Sequence, residues 1–204
     1  QIQRKRKKIN VIFGGSSSEK QVSVMTGTNV WLRLRKSKKY EPKPYLLDLD
    51  DKTVWDLPYS KTLNHTAEEI SEMCRNAQKA EKRLKILRLR VLEKIAAKPG
   101  HLSEELFIPK AMSLNEFIKK SKYVFIGLHG GIGENGELQR MLEKNHIPFN
   151  GPDSKASKLC MDKYETAQML RKLEKDGIHI PQKKIIEMSY FIGLNESGYK
   201  IIWE

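Results

Sequence analysis

The chain has 204 residues, 38 of them Lys or Arg against 25 Asp or Glu, a formal net charge of +13. At roughly 150 residues per domain, that is one complete domain and part of another. With 39% apolar and 31% charged residues, the composition is that of a soluble globular protein and excludes a wholly disordered chain.

No apolar stretch approaches the roughly 20 residues of a membrane span. The basic opening segment is not followed by the apolar run and small-residue cleavage site of a signal peptide. Cys74 and Cys160 lack the spacing of a disulfide framework or zinc site, so a reducing, cytoplasmic setting is expected, and the lack of a long apolar stretch makes no membrane partner the expectation. The first residue is Gln, which suggests trimming or processing. Basic residues crowd the first eight positions and recur at Arg33, Arg35, Lys36, Lys38 and Lys39, but no aromatics interleave with them as a nucleic-acid stacking platform requires. A solvated cationic surface is the expectation, with no nucleic-acid partner.

Residues 9–13 form a short β-branched and aromatic run that stops at Gly14 and Gly15, the pattern of a buried strand ending in a tight turn. Serines at 16–18 lead into a helix, with Ser18 as N-cap, Gln21 completing a capping box, and Val22, Met25 and Val30 forming its apolar side. Residues 44–49 read as a second strand. From 66 to 98, Ile70, Met73, Ala77, Ala80, Leu84, Leu87 and Val91 recur at steps of three and four, which predicts one long amphipathic helix. Its seam either packs on its own domain or mediates self-association. Lys98-Pro99-Gly100 stops it.

An apolar segment at 106–108 and a short helix near 114–118 come next, then a second strongly apolar strand at 123–128. Leu138, Met141 and Leu142 mark a helix, and 147–149 an extended piece. After a turn at 151–154, a helix carries Met161, Ala167, Leu170 and Leu173 and ends at Asp176-Gly177. Residues 184–188 read as a last strand, with too little chain beyond to close another domain.

Two glycine-rich loops therefore each follow a buried strand, which in an open parallel sheet puts both at the carboxyl edge, where ligands bind. Glu19 stands by a helix N-terminus, whose dipole favours a carboxylate able to meet a ligand ammonium. His129 ends the second strand and Glu134 lies in a loop with four glycines in eight positions, which lets backbone approach a small ligand closely. Each signal alone is compatible with a plain turn, a structural histidine or a surface cap. Neither loop has the P-loop or dinucleotide-binding glycine pattern.

Gly14-Gly15-Ser16-Ser17-Ser18-Glu19-Lys20-Gln21-Val22-Ser23, His129-Gly130-x-x-Gly133-Glu134-Asn135-Gly136-x-x-Gln139 and Met161-Asp162-Lys163 together resemble the D-alanine–D-alanine ligase family, from about residue 9 to about residue 188. The resemblance implies an open parallel α/β sheet flanked by helices over residues 1–151, with the 66–98 helix as an insertion. Residues 152–204 would begin a central ATP-grasp domain. It implies an ATP- and magnesium-dependent cytoplasmic ligase of peptidoglycan and cell-wall synthesis, homodimeric when full length. Such an enzyme phosphorylates one D-alanine carboxylate, and a second D-alanine attacks the acyl phosphate.

By the same resemblance, Glu19 holds the first D-alanine's ammonium, His129 and Glu134 line that pocket, Glu19 and His129 are the catalytic candidates, and Lys163 reaches the ATP phosphates. Gln21, Asn135 and Arg140 depart from the family's usual residues. The magnesium ligands, the serine-rich loop and further lysines are expected beyond residue 204, so the chain is expected to be the front part of a ligase and inactive alone. A D-lactate- or D-serine-using ligase is a close variant. From another class, the alternative is a non-catalytic scaffold associating through the 66–98 helix.

Overall fold

Odd and even positions of the first strand face different cores, as the two-residue period of a strand requires. In β1 (Lys7–Gly14), Ile9, Val11 and Phe13 enter a cluster with Val24, Trp31, Leu46 and Ile70, while Ile12 enters another with Tyr45, Leu47, Phe117, Val124 and Leu138. A strand buried on both faces needs helices on both sides of its sheet. The computed structural model describes residues 6–58, 62, 65–94, 108–187 and 189.

Five strands form one open sheet in the order β4-β3-β2-β1-β5. β2 (Tyr40–Leu47) and β5 (Val124–Ile126) flank β1 in parallel, with Ile12 opposite both Tyr45 and Ile126. The expected open parallel sheet is present in these three. β3 (Thr53–Asp56) runs back antiparallel to β2, and β4 (Lys110–Ser113) antiparallel to β3, so the sheet is mixed. A short return needs only the turn around Asp50, whose carboxylate accepts the Lys52 and Thr53 N–H groups, whereas a parallel crossover needs a dozen residues or more. The extended piece at 147–149 is present as a parallel bridge from Phe149 to Val124.

Helix α1 (Lys20–Arg35) covers one face and differs from expectation at both its start and its side. Glu19, not Ser18, is the N-cap, without a side-chain cap on the helix, and its own N–H donates to Ser17 Oγ at 3.0 Å. Gln21 reaches away to accept the Ala67 N–H at 3.0 Å instead of closing a capping box. Val22 and Met25 are exposed, and Ser23, Val24, Gly27 and Trp31 face the sheet. Small residues at 23 and 27 let the helix backbone approach the strands, a face that a search for large apolar side chains passes over. The other face carries α4 (Leu114–Lys120) and α5 (Glu137–Lys144), which bury Phe117, Ile118, Leu138 and Leu142.

The single helix expected over 66–98 is two: α2 (Ala67–Arg75), opened by a Thr66/Glu69 capping box, and α3 (Ala77–Lys94). Asn76 interrupts them. Its polar side chain disfavours helix interiors, and a seam of spaced apolar residues does not register one residue's departure. α2 is fastened by Asp48, whose carboxylate accepts from Ser71 Oγ, Trp55 Nε1 at 3.0 Å and Arg75 Nη2 at 2.9 Å. The expected stop at residues 98–100 and most of the 106–108 segment lie outside the described residues.

The chain divides into two compact units, Gln1–Lys158 and Leu159–Glu204. α6 (Ser154–Met161) crosses the division. In the second unit, Asp162 caps α7 (Lys163–Leu170) by accepting the Tyr164 and Glu165 N–H groups, and a 3-10 turn over Arg171–Asp176 ends at Gly177. The helix expected to run through to Asp176 is thus broken by a cap at 162. Residues 184–187 are not strand, and Met188 lies outside the described residues. Among the described residues, no helix is long and apolar enough to cross a membrane.

Candidate functional site

After β1 the chain leaves through α1 toward β2, and β5 lies on the other side of β1. The carboxyl ends of β1 and β5 thus form the point where the strand order reverses, and a crevice opens there in open α/β sheets. Both glycine loops emerge at this edge. Gly14 has φ +97, and a Cβ there would lie 2.7 Å from the Leu47 carbonyl oxygen, so only glycine makes this turn without strain.

Serine and threonine hydroxyls stitch the loops together. Ser23, fully buried, accepts the Gly14 N–H at 2.8 Å and donates to the Gly127 carbonyl at 2.9 Å, joining the ends of β1 and β5. Ser17 Oγ donates to the His129 carbonyl at 2.6 Å and itself accepts the Glu19 N–H at 3.0 Å. Asp51, itself at φ +53, holds Ser16 through its N–H at 2.9 Å and its hydroxyl at 2.5 Å. The loop bearing Glu19 is therefore fixed at both ends.

Glu19, His129 and Glu134 each bring one ligand atom to within 4.8 Å of the others. His129 Nδ1 lies 4.0 Å from Glu134 Oε1, and its Nε2 is 2.9 Å from Thr26 Oγ1, so α1 orients the ring. Glu19 and Glu134 are exposed and His129 is half-buried. Two carboxylates and an imidazole open to solvent on a glycine-rich floor can grip a small cation or ammonium. Lys163 belongs to the second unit. It opens α7, exposed, with Nζ donating to the Cys160 carbonyl at 3.2 Å.

The model of the family described as D-ala D-ala ligase N-terminus matches residues 8–152. The chain belongs to this family. A D-alanine--D-alanine ligase of Pediococcus pentosaceus is 32% identical over 187 residues, which cover 84% of this chain and 48% of that protein. D-alanine--D-alanine ligase A of Escherichia coli K12 is 26% identical, over 80% of this chain and 40% of that protein. The chain spans half or less of the length of these curated relatives. The D-Ala:D-Ser ligase VanG of Enterococcus faecalis shares the fold, with a TM-score of 0.56 and 23% identity over 98% of this chain and 49% of that one.

Two of the three departures from the usual D-Ala ligase residues have defined local tasks here. Gln21 joins α1 to the start of α2, and Asn135 Oδ1 accepts the Glu137 N–H at 2.9 Å to begin α5. Arg140 is exposed on α5. Gln139, the last residue of the second motif, is buried and donates to the Gly133 carbonyl at 2.6 Å, which pins the loop carrying Glu134. Sequence reasoning missed Ser17, Ser23, Thr26 and Asp51. Ser17 and Ser23 stand inside a quoted motif, but nothing in their residue types announces partners about a hundred positions away.

Proposed function

We propose that the chain is the substrate-binding front half of a D-alanine–D-alanine ligase of cell-wall synthesis, working in the cytoplasm. Residues 1–151 would be the N-terminal domain and 152–204 the beginning of the ATP-grasp domain. In this reading Glu19 receives the ammonium of the first D-alanine, while His129 and Glu134 complete the polar wall around it. The observation that carries the reading is the convergence of these three side chains at the β1/β5 edge, supported by membership of the family. A carboxylate within hydrogen-bond reach of an ammonium fixes the amino acid by a charge-assisted bond, leaving its carboxylate free to be activated elsewhere.

ATP supplies the phosphoryl group that activates that carboxylate in this family, and Lys163 has the compact charge suited to a phosphate. Magnesium takes oxygen ligands. In this reading the ligands for magnesium are supplied by the remaining half of the enzyme. The same holds for the choice of second amino acid and for homodimerisation.

Glu19→Gln in the full-length ligase tests the assignment. Loss of a charged hydrogen bond worth about 1.5 to 3 kcal/mol should raise the KM for the first D-alanine, or lower turnover, by roughly 10- to 150-fold. Unchanged kinetics would remove Glu19 from the site. D-alanine-dependent phosphate release from ATP by the 204-residue chain alone would overturn the half-enzyme reading.

A further inference from the structure

The first half of the long seam is buried and the second is not. Ala77 is 8% exposed, whereas Leu84, Leu87 and Val91 are 45%, 54% and 47% exposed, and Ile86 and Leu89 are 52% and 66% exposed. Five of the twelve large apolar side chains exposed among the described residues thus fall within one stretch of α3, residues 84–91. Isolated exposed leucines are ordinary, but a cluster of this kind marks an interaction surface.

At 100° per residue, the buried Ala77 and Leu92 and the half-buried Glu81 and Arg88 share an arc of about 60°, which is the side α3 turns to its own domain. Beside that arc lie the exposed Leu84, Val91 and Leu87, about 20° to 80° round from Ala77, bordered by Lys94, Arg83 and Arg90, while Ile86 and Leu89 stand further round among Lys79, Glu93 and Lys82. Seven of the helix's eighteen residues are Lys or Arg and two are Glu.

This chemistry separates the possible occupants. A second copy would bring two strongly cationic helices together, because Arg83 and Arg90 border the exposed Leu84, Leu87 and Val91 and would face like charges across a paired seam. A nucleic acid would satisfy the cations and leave the leucines in water. A bilayer with anionic headgroups satisfies both, because apolar side chains enter the headgroup boundary while Lys and Arg extend their stems and keep their charges among the phosphates.

We propose that α3 is a peripheral docking surface for anionic phospholipid, holding this domain at a membrane without spanning it. The site at the β1/β5 edge takes no part.

Co-sedimentation of the 204-residue chain with phosphatidylglycerol/phosphatidylcholine vesicles tests this, with phosphatidylcholine vesicles as the comparison. Removing the anionic lipid should weaken binding at least tenfold, and Arg83→Glu with Arg90→Glu should do so to a similar extent. Leu87→Ser with Leu89→Ser should also weaken it about tenfold, because neither signal alone anchors well. Far-UV circular dichroism checks that the variants fold. On the unaltered protein, raising NaCl from 0.05 to 0.5 M should release most of the bound chain.

Equal binding to both vesicle types, or none to either, would overturn the proposal. So would duplex DNA binding that survives Leu87→Ser/Leu89→Ser without vesicle binding, or concentration-dependent self-association in sedimentation velocity that Leu84→Asp abolishes.

Discussion

Thr26 holds the imidazole of His129 through Nε2, and that fixes which ring nitrogen faces Glu134. Thr26→Val keeps the shape and removes the hydroxyl. Under the proposed function, and with a neutral hydrogen bond worth about 1 kcal/mol, the KM for the first D-alanine in the full-length ligase should rise about fivefold with the thermal midpoint little changed. A KM equal to the parent's would show that the ring needs no such support. Gly27 gives a prediction whose sign is opposite to the usual one. Gly→Ala inside a helix normally stabilises by about 1 kcal/mol, but a Cβ at 27 would lie 2.4 Å from Cδ1 of Phe13, a fully buried ring with no room to retreat. Gly27→Ala should therefore cost about 1–3 kcal/mol in urea unfolding. The convergence of Glu19, His129 and Glu134 was legible because acidic and imidazole side chains stood in glycine loops directly after buried strands. The residues that hold those loops were not, since Ser17, Ser23 and Thr26 act on partners 112, 104 and 103 positions away.

Between elements, Asp48 is the fastening. It is 3% exposed. Burial pushes its pKa up, but hydrogen bonds from Ser71, Trp55, the Leu49 N–H and Arg75 outweigh that and hold it below the ordinary carboxylate value. A carboxylate depressed on folding contributes stability that is full above its unfolded pKa, near 4, and is lost as pH falls through its lower folded value. Asp48→Asn should cost about 2–3 kcal/mol at pH 7 by the loss of charged hydrogen bonds. The difference from the parent should shrink below about pH 4, a pattern that urea titrations at pH 7 and pH 3.5 would show. A constant difference would mean that Asp48 acts by shape rather than charge. Elements made by local apolar pattern, such as β1, β5 and α4, could be read from the sequence. The return of β3 against β2, the break at Asn76 and the inward side of α1 could not, because a turn aspartate, one residue's dihedral angles and the absence of side-chain bulk decide them.

For the molecule as a whole, the charge excess sets a salt dependence independent of any ligand. A net charge of +13 repels itself, and Lys36, Lys38 and Lys39 stand exposed in one short stretch without a neighbouring acid before Glu41. The repulsion reaches about 30 Å at 0.01 M salt and about 8 Å at 0.15 M, so adding NaCl across that range should stabilise the folded chain. A gain of about 1 kcal/mol would raise the thermal midpoint by about 2–4 °C in a chain of this size. Ion pairs such as Lys20–Glu68 and Lys43–Asp56 work in the opposite direction, since salt weakens them, but surface pairs are each worth little and the excess cations outnumber them. Lys38→Glu with Lys39→Glu should raise the midpoint at low salt and flatten its rise with NaCl, measured by differential scanning calorimetry at pH 7. A midpoint that falls as NaCl is added would mean that the ion pairs outweigh the net repulsion.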